Sequence, residues 1–128
     1  MPQATEGKPL TSQQSVLIVD DSEETREVLQ TALERRGVRT YSTDRAQRGI
    51  ELARELHPSL IVLDLDLAES DPKSLSAPFA EHSHRDGAPL VLLGSVRRRD
   101  AVEGERFAKP YHYAPLIRKI EELLNHLE

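Results

Sequence analysis

Asp20 and Asp21 close the apolar run Val16–Val19 in the segment SVLIVDD, and Asp64 closes a second run, Leu60–Leu63. If the two runs are neighbouring strands, three carboxylates meet at one rim of a sheet. Like charges gathered in one pocket repel unless a cation neutralises them. Mg2+ takes oxygen ligands, keeps several waters and uses one or two carboxylates. The spacing therefore points to a Mg2+ site beside an acid left to react. A carboxylate is a nucleophile toward phosphorus and gives an acyl phosphate, and the metal would offset charge on the transferring phosphoryl group. Lys109 follows a short run, Phe107-Ala108, where it would complete the clamp as a point charge. Each residue alone has a plainer reading. Aspartates cap helices, Asp21 included, and Lys-Pro is common in loops. The set carries weight only through the elements that must position it.

Those elements alternate. Val16–Val19 is continuous and apolar, as in a strand buried on both faces of a parallel sheet. A helix follows, capped by Asp21 or Ser22, with Glu23 and Glu24 in its positive first turn. Val28, Leu29, Ala32 and Leu33 form its apolar face, and Gly37 supplies the stop. The spacing then predicts a strand over Val38–Ser42 and a helix from Thr43 or Asp44. That helix has the face Ala46, Ile50, Ala53 and Leu56, and Pro58 ends it. The third strand, Leu60–Leu63, runs into Asp64. A polar loop and a weak helix from Asp71-Pro72 come next. Gly87 and Pro89 precede the fourth strand, Leu90–Leu93. Phe107-Ala108 makes a minimal fifth strand, and the last helix runs from about Ala114 to Leu127. Its stripe is Leu116, Ile117, Ile120, Leu123, Leu124 and Leu127. Five strand–helix alternations predict right-handed crossovers and a parallel sheet with helices on both faces. In such sheets ligands bind at the carboxyl ends of the strands.

The bulk numbers narrow the classes. A chain of 128 residues fits one domain, with residues 1–14 a polar, disordered lead-in and 15–128 the folded unit. There is no cysteine, which excludes disulfides and thiolate chemistry. No apolar run is long enough to cross a bilayer and the N-terminus lacks a secretion signal, so a soluble, cytoplasmic protein without membrane contact is expected. The net charge of -5 argues against direct nucleic-acid binding, the cluster Arg97, Arg98 and Arg99 notwithstanding.

With these residues placed, the chain resembles the response-regulator receiver family over about residues 15 to 126. The resemblance rests on VLIVDDSEETREVLQTALERRG, PSLIVLDLDL, APLVLLGS, and AKP followed by an amphipathic helix. It implies a flavodoxin-like (CheY-like) doubly wound sheet of order 2-1-3-4-5, with the helix between the fourth and fifth strands shortened or absent. It also implies that Asp64 accepts a phosphoryl group from a histidine kinase or histidine phosphotransfer protein. Asp20 and Asp21 would help bind Mg2+, the backbone carbonyl of Asp66 would complete the metal shell, and Lys109 would contact the phosphoryl oxygens. A downstream protein partner is expected, and turnover of an external substrate is not. A stand-alone domain is expected, since no output domain follows within the chain.

Several positions depart from the family pattern. The hydroxyl residue at the end of the fourth strand falls on Gly94, with Ser95 one residue on. The switch aromatic, three residues before the lysine, falls on Arg106, and the adjacent Phe107 should face the other side of its strand. Only 15 steps separate Gly94 from Lys109, too few for loop, full helix and strand. Phosphorylation chemistry is therefore expected to be present and the switching relay damaged. The competing reading is a pseudo-receiver that signals through protein contacts without phosphate. A third, an Asp-x-Asp phosphatase built on Asp64-Leu65-Asp66, is disfavoured because its further acids precede the motif. His82 and His84, spaced i, i+2, should point apart on a helix, and His57 and His126 read as surface residues.

Overall fold

The computed structural model describes residues 13–68, 71–94, 104–108 and 112–127. Their strands are β1 (Ser15–Val19), β2 (Arg39–Thr43), β3 (Leu60–Asp64), β4 (Leu90–Leu93) and β5 (Glu105–Phe107). The helices are α1 (Glu23–Glu34), α2 (Ala46–Leu56), α3 (Pro72–Asp86) and α4 (Tyr113–Asn125), and Leu65–Leu67 forms one 3-10 turn. All strand pairs are parallel, in the order β2-β1-β3-β4-β5. The expected doubly wound fold is thus present. Among the described residues no helix lies between β4 and β5, and residues 95–103 there are outside them.

Alternation along the strands sorts the core into two layers. Val16 and Ile18 of β1, Leu60 and Val62 of β3, and Val91 and Leu93 of β4 face α1 and α4, where Leu29, Leu33, Leu116, Ile120 and Leu124 meet them. Leu17, Val19, Ile61, Leu63, Leu90 and Leu92 face the other way, against Ala53 of α2 and Phe79 of α3. The central strands are buried on both faces, which is why they read as continuous apolar runs. Tyr113 closes one end of the first layer through a 3.0 Å hydrogen bond between its hydroxyl and that of Thr25.

Boundaries shift in physically instructive ways. Ser22 is the α1 cap, its hydroxyl accepting from the Thr25 amide at 3.2 Å. The second strand slips one residue, to Arg39–Thr43, and the second helix begins only at Ala46. The expected weak helix after Asp71 spans 15 residues. Asp71 secures its start, accepting from the Lys73 amide at 3.0 Å and the Ser74 hydroxyl at 2.7 Å. These bonds hold the Asp71 carboxyl below the ordinary carboxylate range, the Ser74 hydroxyl contributing most. Pro72 opens the first turn, where a missing N–H costs nothing. Gln13 and Gln14, at the end of the expected lead-in, are tied down. The Arg39 amide donates to the Gln14 carbonyl at 3.0 Å, and the Gln14 amide donates to the Leu124 carbonyl at 2.8 Å.

Candidate functional site

Because every strand runs the same way, their carboxyl ends share one rim. The pairing of Val19 with Leu63 puts the next residues, Asp20 and Asp64, side by side. Asp64 is also paired to Leu93, so it sits between β1 and β4. Asp20 and Asp64 are both fully buried, and Asp21 is exposed at the mouth. One carboxylate oxygen from each of Asp20, Asp21 and Asp64 lies within 4.8 Å of the others. The three acids that the sequence placed at strand ends are therefore brought together.

Local hydrogen bonds orient them. The Ser22 amide donates to Asp20 Oδ1 at 2.8 Å, so the Asp20 carboxylate turns back over the start of α1. The guanidinium of Arg26, one turn into α1, donates to the Asp20 carbonyl at 2.6 Å. The Asp66 amide donates to Asp64 Oδ1 at 2.9 Å, which folds the segment after β3 into its 3-10 turn and holds the carboxylate at the rim. An all-oxygen donor set of this size fits a hard divalent cation such as Mg2+.

The departures from the family pattern have structural counterparts. Gly94 is buried at the end of β4 with φ of +123°, and its amide donates to the Phe107 carbonyl at 3.0 Å. A side chain there would meet the Asp66 carboxylate, whose Oδ1 lies 3.0 Å from the place of a Cβ. The sequence did not connect these two residues. Arg106 is exposed on β5, while Phe107 turns inward against the α4 layer, as strand alternation requires. Lys109 and Ser95, expected as the phosphoryl contact and the displaced hydroxyl, lie outside the described residues, as do Arg97–Arg99.

Gly94→Ser, which would supply the hydroxyl at that position, is expected to destabilise the protein by about 1–3 kcal/mol through backbone strain and the clash with Asp66. Urea unfolding measures this, and a variant as stable as wild type would show that the loop yields.

Fold and rim together define a CheY-like α/β protein with an acidic pocket at its topological switch point. The model of the response regulator receiver domain matches residues 16–103, more than half of the sequence. The chain belongs to that family. It is similar to the KDP operon transcriptional regulatory protein KdpE of Escherichia coli, 44% identical over 117 residues, which is 86% of this chain and 51% of the relative. It is also similar to the transcriptional regulatory protein GltR of Pseudomonas aeruginosa, 32% identical over 86% of this chain and 48% of the relative. The chain thus spans about half the length of these relatives. Among solved structures, the chemotaxis response regulator CheY4 of Vibrio cholerae shares the fold at a TM-score of 0.74, with 17% identity over 87% of this chain and 98% of that one. No helix among the described residues is long and apolar enough to cross a membrane.

Proposed function

We propose that this chain is a phosphoryl-accepting receiver of a two-component relay, with Asp64 as acceptor. The observation that carries this reading is the convergence of Asp20, Asp21 and Asp64 at one strand rim, with Asp64 buried on the central strand. An Asp64 carboxylate oxygen attacks phosphorus of a phosphohistidine. The O–P bond forms as the N–P bond breaks, the electron pair stays on the donor imidazole, and solvent supplies its proton. Asp20, Asp21 and Asp64 would hold Mg2+, with the Asp66 carbonyl as a backbone ligand; when bound, the ion offsets charge on the phosphoryl oxygens. Lys109 would add a second positive charge there. The donor is a histidine kinase or histidine phosphotransfer protein, the folded unit is 15–128, and no external substrate is turned over. No direct nucleic-acid contact is proposed for a chain of net charge -5.

The test is mass spectrometry after incubation with acetyl phosphate, with and without Mg2+. One Mg2+-dependent phosphoryl adduct is expected in wild type and none in Asp64→Ala. Failure to form the adduct in a protein with an intact fold defeats the proposal. A second reading, the phosphate-independent pseudo-receiver, is favoured by one observation: Gly94 carries no hydroxyl, and the Asp66 carboxylate lies 3.0 Å from where a side chain on Gly94 would begin. A downstream partner that binds wild type and Asp64→Asn equally, with or without phosphodonor, supports that reading.

A further inference from the structure

A second cluster lies at the opposite pole, at the amino ends of β3 and β4. His57 follows α2, while His82 and Asp86 sit one turn apart near the end of α3. His57 Nδ1 is 2.9 Å from Asp86 Oδ2. His82 Nε2 is 3.0 Å from the same oxygen. That second approach lacks hydrogen-bond geometry, for neither ring nitrogen of His82 has a hydrogen-bond partner. His82 is nevertheless only 4% exposed. Its ring stacks on that of His57, with centroids 5.9 Å apart and planes inclined by 26°. One ligand atom from each of the three residues lies within 4.8 Å of the others.

A buried imidazole that makes no hydrogen bond is a cost that packing alone does not explain. A hydrophobic side chain of similar size would fill the same space on α3. What the imidazole adds is a ring nitrogen 3.0 Å from a carboxylate oxygen that a second imidazole already touches. We propose that His57, His82 and Asp86 form a binding site for a borderline divalent transition ion of the Zn2+ type, which pins the end of α2 to the end of α3.

The donor set decides the ion class. Two imidazole nitrogens and one carboxylate oxygen suit Zn2+ and its neighbours, whereas Mg2+ and Ca2+ prefer oxygen alone. Three protein ligands leave a fourth position for water. Solvent reaches the site through a cleft of about 440 Å³ lined by His57, Pro58, Asp86 and Gly87. Burial disfavours protonation of His82, and the His57 hydrogen bond holds Asp86 below the ordinary carboxylate range. Neutral imidazole and ionised carboxylate are the forms that bind metal. His84 is exposed two residues from His82 and, among the described residues, belongs to no such metal-ligand cluster, which makes it a control on the same helix.

The experiment uses the full chain in saturating Mg2+, so that an all-oxygen site is already satisfied. Co2+ is titrated while visible absorption is followed, and Zn2+ is then added. One equivalent of Co2+ is expected to give the intense absorption of a low-coordinate site, and one equivalent of Zn2+ to remove it. Zn2+ at a hundredfold excess over its Kd should raise Tm by roughly 10 °C. His57→Ala changes an exposed side chain and should leave the fold intact while weakening binding more than roughly 100-fold, since loss of even an outer-shell partner costs 10–100-fold. His84→Ala and Asp64→Asn should bind as wild type does. Absence of the Co2+ band, equal affinity in His57→Ala, or loss of binding in Asp64→Asn each overturns the proposal.

Discussion

Asp20→Asn is expected to slow Mg2+-dependent phosphoryl uptake by roughly 100-fold or more, while making the Mg2+-free protein harder to unfold. The first effect follows from charge on the transferring group. Metal stabilisation of that charge is worth several kcal/mol, and about 1.4 kcal/mol is a factor of ten in rate. Asn keeps the shape and still accepts from the Ser22 amide, so the fold around α1 is preserved while one anionic ligand is lost. The second effect has the opposite sign because the same charge is a burden without the ion. Asp20 and Asp64 are fully buried, with carboxylate oxygens within 4.8 Å. At an effective dielectric constant near 20, two unit charges at that separation repel by about 3–4 kcal/mol. Part of that is offset by the surrounding hydrogen bonds, so a Tm gain of a few degrees is expected. Stopped-flow phosphorylation and thermal unfolding in EDTA read the two effects. An Asp20→Asn protein less stable than wild type in EDTA would show that Asp20 is held by its fold and not strained by its neighbour.

Much of this rim was legible in the sequence, for a definite reason. Strands buried on both faces cannot alternate, so β1, β3 and β4 stand out as apolar runs, and the acids that end two of them mark where the apolar runs stop at the rim. Parallel order then aligns those ends without further information. The α3 helix was harder to read. Its buried positions are Ser76, Phe79 and His82, two of them polar, and Pro78 interrupts the pattern, so no apolar stripe announces its 15 residues. The pole opposite Asp64 was barely legible. His57 and Asp86 are 29 residues apart, and only the packing of α2 beside α3 joins them. The one local signal was the i, i+4 spacing of His82 and Asp86, which helices carry for many reasons. The relation of Gly94 to Asp66 was hidden likewise, since it depends on a turn geometry that the sequence does not spell out.

The weak apolar signal of α3 makes one side chain unusually important. Phe79 is 1% exposed and is the large apolar residue that α3 buries completely. It enters the layer formed by Leu17, Val19, Leu63 and Leu92 and reaches α2, where its Cζ lies 3.2 Å from the place of a Cβ on Gly49. Gly49 lets α2 approach β1 so closely that a methyl group there would meet Val19 Cγ2 at 2.7 Å. The ring is therefore packed between two helices and the sheet. Phe79→Ala removes that burial and leaves a cavity that neither β1 nor the rigid approach of α2 can collapse. A loss of about 3–5 kcal/mol is expected, against a total stability of roughly 5–15 kcal/mol for a domain. Because the other buried positions of α3 are polar, the loss should be felt first along that helix. Hydrogen exchange should show α3 opening well below the global free energy, while the β1–β3 pair stays protected. Equal protection of α3 in wild type and Phe79→Ala would mean that the helix is held by its Asp71 cap and its contacts near Asp86, and that the ring is not its anchor.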